Sequence, residues 1–287
     1  MAVNQHYALK DLLVRLQKVT ASSKPLPFAL YTANTEQKLR NLRLINPVLM
    51  FVLSGRKEIE LQNGVEVVLR EGECILLANR QSIVVRNMPD ERPYFALIIE
   101  FYPSDKPTSY FTNGQTDFIV KPFDETFTLL LGQFVEWANI SPPELWENRR
   151  QELAKFIQVQ GWTEVQSLWR EQGLSDQVQR FLQVTIEEPI SAHEIAQHFG
   201  MSESTLRRRL KDEQTSLQQL KDDVRLGLGL HLLQSTSKPI LHIALECGYQ
   251  SQSRFSERFK EQFGMSPSEV RKNELTGKGE SLMVNGK

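Results

Sequence analysis

The sequence predicts an α+β protein: a small β-barrel or sandwich first, helices after it, and an all-α C-terminal third. Three observations predict it. Short apolar runs separated by turn residues fill positions 28–121. From Asp124 onward the apolar residues recur at three- and four-residue spacing. Between Asp176 and Asn273 one helix–turn–helix pattern occurs twice.

The chain has 287 residues, enough for two domains with their own cores. Its formal net charge is -1, so any basic footprint for nucleic acid must be local. The two cysteines, Cys74 and Cys247, are far apart and flanked by apolar residues, which predicts two reduced, buried thiols. A disulfide or metal framework needs more cysteines at closer spacing. The amphipathic segment Met1 to Leu16 carries Lys10, Asp11 and Arg15 and lacks the apolar core of a signal peptide. No run approaches the roughly 18 apolar residues of a membrane span. The expected location is the cytoplasm.

The strands are expected at Phe28–Thr32, Lys38–Ile45, Val48–Leu53, Lys57–Leu61, Val65–Leu69, Cys74–Ala78, Ile83–Arg86, Tyr94–Tyr102 and Phe118–Lys121. Lys57 to Leu61 and Val65 to Leu69 alternate polar with apolar, the period of a strand with one buried face. Asn63-Gly64 between them signals a hairpin. Leu49, Phe51, Val52, Phe95, Leu97 and Ile99 are expected inside the barrel, either as plain core or as the lining of an apolar effector site.

Phe127, Leu130, Leu131, Phe134 and Val135 share one helical face. Pro142-Pro143 ends that helix, and Ser141 is placed to cap the next, which carries Leu145, Arg149, Leu153, Phe156 and Ile157. A third piece spans Val165 to Trp169. Residues 124–170 are either core packing or the face of a homodimer. Gly173 to Ser175 reads as a linker. This divides the chain into an N-terminal regulatory and dimerisation domain over 1–172, a DNA-binding domain over 176–273 and a flexible tail over 274–287.

The repeated pattern runs from Ile195 to Leu210 and again from Ile243 to Phe259. Each copy opens with Ile-Ala on the inner face of a short helix. A turn glycine follows, Gly200 or Gly248, then a capping serine, Ser202 or Ser251. The next helix buries Leu206 and Leu210, or Phe255 and Phe259. The second copy has one extra residue in its turn. In such a unit the second helix enters the major groove. The connecting helix is capped by Ser216 and has the stripe Leu217, Leu220, Val224, Leu228 and Leu232. Gly227 and Gly229 in it serve either close packing or nothing in particular.

Positive charge gathers on the second helix of each unit: Arg207, Arg208, Arg209 and Lys211, then Arg254, Arg258 and Lys260. Arginine can pair with guanine through two hydrogen bonds, and Gln252 suits adenine. Ser204, Ser253 and Ser256 can reach a base edge or a phosphate.

With these residues in view, the chain resembles the AraC/XylS family of bacterial transcription regulators from Asp176 to Lys272. The most specific stretch is Ile240 to Arg271, with Ile243-Ala244, Gly248-Tyr249, Ser251-Gln252-Ser253, Phe255-Ser256, Phe259-Lys260, Phe263-Gly264 and Ser266-Pro267. The resemblance implies two units on a rigid connecting helix, reading adjacent major-groove segments. It implies DNA contacts from Ser204, Arg207 and Arg208 in the first unit, and from Gln252, Ser253, Arg254, Ser256, Glu257 and Arg258 in the second. It also implies an activator that binds double-stranded promoter DNA and works with RNA polymerase. The sequence departs from the family at Leu210, usually phenylalanine, at Gln214, usually glycine, at Gly227 and Gly229, often alanine-rich, and at Val270, often tyrosine. The N-terminal half is similar to the cupin-like regulatory domains of this family, which implies a cupin-like β-barrel controlled by a small effector or a protein partner.

No catalytic role, cofactor or metal is expected. Many cupins use clustered histidines, yet none of the five histidines (His6, His193, His198, His231, His242) lies between Tyr7 and Ala192. There is no Gly-rich phosphate loop and no Gly-x-Ser-x-Gly elbow. His193 and His198 lie on the first helix–turn–helix with no cysteine or acid to complete a ligand set, so they read as surface or phosphate-proximal residues.

Overall fold

A computed structural model of the chain describes residues 11–16, 26–79, 81–107, 116–162, 168–169, 173–185, 190–236 and 238–272. The expected tail 274–287 and most of the expected piece Val165 to Trp169 lie outside the described residues.

The alternating runs form β1 (Ala29–Ala33), β2 (Gln37–Leu44), β3 (Val48–Ser54), β4 (Arg56–Glu60), β5 (Glu66–Arg70), β6 (Glu73–Leu77), β7 (Gln81–Met88), β8 (Tyr94–Glu100) and β9 (Phe118–Pro122). They build one sheet in the order β1-β8-β3-β6-β9 and another in the order β2-β7-β4-β5. Every pairing is antiparallel. Among the described residues no hydrogen-bonded pair joins the two sheets, so the expected closed barrel is corrected to two facing sheets. The physical reason is visible at Gly55, where consecutive strands β3 and β4 part into different sheets instead of pairing. Gly55 has φ 76, and a Cβ there would stand 2.6 Å from the Met88 carbonyl oxygen, so only glycine makes this corner.

The β4–β5 hairpin forms as expected, with its turn slightly longer than the dipeptide. Leu61 donates to the Val65 carbonyl at 2.9 Å and Gly64 donates to the Leu61 carbonyl at 2.9 Å. That is a three-residue loop with glycine at its left-handed position, φ 80.

Strand alternation sorts the side chains into two cores. Val48, Met50, Val52, Tyr94 and Ala96 meet Leu39, Ile59, Leu69, Ile83 and Val85 between the sheets. Leu49, Phe51, Phe95, Leu97 and Ile99 point the other way, under the helices α1 (Glu125–Ile140) and α2 (Trp146–Val159) and the helical residues 11–16. Of the expected barrel-interior residues, only Val52 faces the opposite sheet; the other five form the helix-covered core. β3 is buried throughout because both its faces are covered.

Asp124 caps α1 by accepting from the Phe127 N–H at 2.8 Å. Ser141 does not cap the next helix. It ends α1, its N–H donating to the Trp137 carbonyl at 2.9 Å, and a 3-10 turn at Pro143–Leu145 leads into α2. The helices that follow are α3 (Leu174–Val184), α4 (Ala192–His198), α5 (Glu203–Asp212), α6 (Leu217–Ser235), α7 (Ile240–Glu246), α8 (Gln252–Phe263) and α9 (Pro267–Lys272). Gly173 to Ser175, expected as linker, is the first turn of α3. Its Leu174 and Ser175 N–H groups donate to the Glu213 carboxylate at 2.8 and 2.9 Å, which pins the turn to the end of α5.

Candidate nucleic-acid interface

The two repeats fold into the same local geometry. α4 ends at Gly200 (φ 65) and α7 at Gly248 (φ 76). In the first, Met201 donates to the Ala196 carbonyl at 2.9 Å; in the second, Tyr249 donates to the Ala244 carbonyl at 2.9 Å. These are the bonds that close a helix on a left-handed residue. Ser202 then caps α5, accepting from Thr205 N–H at 3.2 Å. Ser251 caps α8, accepting from Arg254 N–H at 3.3 Å. Ile195, Ala196, Leu206 and Leu210 are buried in one core, and Ile243, Ala244, Phe255 and Phe259 in another.

α6 serves both cores with different faces. Leu220 and Val224 pack in the first unit. Leu226, Leu230 and Leu233 are buried in the second. The expected stripe continued through Leu228 and Leu232, which are only half-buried. The change of partner halfway along the helix shifts the buried positions. It also resolves the two glycines. A Cβ on Gly229 would stand 2.7 Å from the Phe255 ring, so Gly229 is where α8 approaches α6 closely; around Gly227 nothing lies within 4 Å.

With their apolar sides committed, α5 and α8 leave the sequence-expected contact residues outside. Ser204, Arg207 and Arg208 are exposed on α5, and Gln252, Ser253, Arg254, Glu257 and Arg258 on α8; Ser256 is half-buried. The arginines differ in what they touch. Arg207 lies 3.6 Å from Glu203. Arg258 reaches Asp222 on α6 at 2.8 Å and Glu261 at 2.9 Å. Among the described residues the side chains of Arg208 and Arg254 form no ion pair or hydrogen bond. Of the four expected contact arginines, two are thus uncommitted, one per unit, and two are held. His198 stacks on Phe181 with ring centroids 4.1 Å apart, which accounts for it without a ligand role.

Sequence reasoning did not foresee how firmly the second unit touches the sheets. The Asn41 amide donates to the Gln262 backbone carbonyl at 3.0 Å, and the Gln262 amide donates to the Asn41 carbonyl at 3.3 Å. Arg43 on β2 lies 3.6 Å from Asp223 on α6. Beside this contact a cavity of about 650 Å³ opens, walled by β1, β2, β7 and β8 on one side and by α6 on the other. Among its lining residues is Lys57, 3% exposed. Its Nζ donates to Asn87 Oδ1 at 2.6 Å and sits 5.4 Å from the centre of the Tyr94 ring. Burial pulls its pKa down to about 7. The signal was present in the sequence: Lys57 is in phase with Ile59 and Leu61, the buried face of an alternating strand.

Among the described residues no group of three or more His, Cys, Asp or Glu side chains could hold a metal, and no helix is long and apolar enough to cross a membrane. Cys74 and Cys247 are free and buried.

Residues 195–273 match the family described as "Helix-turn-helix domain". The chain is 35% identical over 97 residues to the HTH-type transcriptional regulator ArgR of Pseudomonas aeruginosa, covering 33% of this chain and 30% of that one. It is 38% identical over 86 residues to the HTH-type transcriptional activator RhaS of Escherichia fergusonii, covering 29% and 31%. The match thus spans about a third of the length of these relatives. Over 88% of this chain and 97% of the other, the fold is similar to ToxT of Vibrio cholerae with a bound unsaturated fatty acid, at TM-score 0.62 and 14% identity. A second ToxT structure from the same species gives TM-score 0.59 at 18% identity, over 87% and 98%.

Proposed function

The C-terminal third of the chain belongs to the AraC/XylS family, and from that premise we propose that the protein is a sequence-specific DNA-binding transcription activator. The observation that carries this reading is the pair of matching units, each presenting a capped, exposed helix with an uncommitted arginine among its expected contact residues, Arg208 on α5 and Arg254 on α8. An uncommitted guanidinium can meet a phosphate or a guanine edge without first breaking an ion pair. In this reading Ser204, Arg207, Arg208, Gln252, Ser253, Arg254, Ser256, Glu257 and Arg258 contact a promoter duplex. Residues 176–273 are the DNA-binding domain and 1–172 a cupin-like regulatory domain, with no catalytic step in either.

Three exposed apolar side chains, Leu129 and Ile140 on α1 and Val159 on α2, support a homodimer through residues 124–170. RNA polymerase is the partner that an activator requires. The cavity between the sheets and α6 supports control by a small effector rather than by a protein.

The test is binding of the full-length chain to the DNA upstream of its own gene and to fragments selected from the genome, over a series of salt concentrations. Log affinity is expected to fall linearly with log salt, as phosphate contacts release counterions. Selection that enriches no sequence, or binding that ignores salt, would overturn the reading.

A further inference from the structure

Strand β5 is an edge of the four-stranded sheet, which runs β2-β7-β4-β5. Its phase follows from the hairpin. Leu61 donates to the Val65 carbonyl, and from there bonded and non-bonded pairs alternate down the register with β4. Val67 and Leu69 therefore bond to β4, while the N–H and C=O groups of Glu66, Val68 and Arg70 point outward along the edge. The Arg70 N–H is met by the Glu73 carboxylate at 2.8 Å. Among the described residues the outward groups of Glu66 and Val68 have no hydrogen-bond partner.

The same three residues are exposed on the outer face of the sheet. Their charges are badly placed within their own chain. Glu66 lies opposite Glu60, and Arg70 lies opposite Arg56. Like charges directly opposite repel across an antiparallel pair. Arg56 is engaged with Asp90 at 3.5 Å, but among the described residues neither Glu66 nor Arg70 has an ion pair. In charge, the run Glu66-Val67-Val68-Leu69-Arg70 changes sign about its centre. Turned end for end about Val68, it sets glutamate against arginine at both ends. Charges on an edge strand normally ward off another strand; here an antiparallel copy in this register is a strand they attract.

We propose that β5 pairs antiparallel with β5 of a second copy of this chain, about a twofold axis at Val68, joining two four-stranded sheets into one. Val68 exchanges both outward bonds with its copy, and the Glu66 N–H donates to the carbonyl of the partner's Arg70. Each end gains an ion pair between glutamate and arginine. A twofold axis normal to the sheet keeps Val67 and Leu69 on the core face, so the pairing disturbs neither core. The strand has five residues, so the interface is small and the association weak and concentration-dependent. β2, which holds α8 through Asn41, is the opposite edge of the same sheet. The surface is also distinct from the apolar residues of α1 and α2, which cover the other sheet.

The experiment uses the full-length protein without DNA, in the native sequence and with Ile140→Asp, which silences the helix surface. Sedimentation velocity over a concentration series measures self-association. Glu66→Arg alone and Arg70→Glu alone are each expected to weaken it about tenfold, because like charges then meet at both ends. Glu66→Arg and Arg70→Glu together are expected to restore it, since opposite charges face each other again. A short bis-maleimide should link Val68→Cys into covalent dimers and leave Lys38→Cys, on the other edge of the sheet, monomeric; the native cysteines are buried. All four positions are exposed, and thermal unfolding verifies that each variant folds. No linked dimer at Val68→Cys, association that ignores the single reversals, or a double reversal no better than either single would each overturn the proposal. Association lost with Ile140→Asp alone would assign the homodimer to α1 and α2 and overturn it too. Failure to bind DNA would overturn the function above and leave this pairing standing.

Discussion

Asn41 and Gln262 hold each other by two hydrogen bonds, each side-chain amide donating to the other residue's backbone carbonyl, at 3.0 and 3.3 Å. Asn41 sits at a register shift in β2 between Leu39 and Leu42, with φ 51, a conformation asparagine tolerates better than most residues. The pair fastens α8 to the sheets. Asn41→Gly keeps the backbone conformation and removes one bond, so it is expected to cost about 1 kcal/mol; Asn41→Ala adds left-handed strain and should cost about 2. Hydrogen exchange of α8 amides is the measurement. Faster exchange in both variants is expected, and unchanged exchange would show that the contact does not restrain the second unit.

The held and uncommitted arginines should separate in a binding assay. Arg208→Ala and Arg254→Ala are each expected to weaken specific DNA binding by about 1–3 kcal/mol. Arg207→Ala and Arg258→Ala should cost less, under about 1 kcal/mol, because DNA binding disrupts ion pairs those side chains already make. Anisotropy titrations of the four variants on one operator give the ranking directly. The reverse order would mean that the ion pairs persist on DNA and aim Arg207 and Arg258 at their targets.

Backbone strain at the end of α5 gives a stability test. Gln214 has φ 56 at the position where the family usually has glycine, and the chain still closes the helix there: Thr215 donates to the Leu210 carbonyl at 2.9 Å. The departure from the family therefore leaves the path out of α5 intact and stores strain in it. Gln214→Gly is expected to stabilise by about 0.5–1 kcal/mol. In α6, Gly229→Ala should destabilise by about 1–3 kcal/mol through the Phe255 ring, whereas Gly227→Ala should stabilise by up to about 1. Denaturant melts of the three variants check the signs.

Lys57 makes stability depend on pH. Its folded pKa is about 7 against an ordinary value of 10.5, because burial disfavours the ammonium form. Between those values the unfolded chain binds the extra proton, so stability rises with pH; below about 7 both states are protonated and the full penalty of the buried charge remains. Relative to Lys57→Met, the wild type is expected to gain on the order of a few kcal/mol from pH 7 to pH 10. Parallel pH profiles would show that Lys57 reaches water in the folded protein.

Much of this was legible in the sequence because alternation and helical spacing are local signals. All nine strands lie within two residues of their expected spans, and Ser202 and Ser251 cap the helices they were expected to cap. What escaped depends on which surfaces meet. Phe51 and Leu97 read as barrel interior, since an apolar side chain in a strand does not say which face has helices over it. Ser141 read as a cap because Pro142-Pro143 follows it, but the 3-10 turn those prolines impose puts the start of α2 out of its reach. Leu228 and Leu232 extended a single stripe because nothing local marks where α6 exchanges one core for the other. Lys57 was passed over as the polar half of an alternating pair, although its phase placed it inside.

The central claim is that α5 and α8 engage one duplex together, and hydroxyl-radical footprinting of the full-length protein on a selected operator tests it most directly. Two protected patches on one face of the DNA, about one helical turn apart, are expected, with Arg208→Ala weakening one patch and Arg254→Ala the other. A single patch, or one that both substitutions erode equally, would contradict the account.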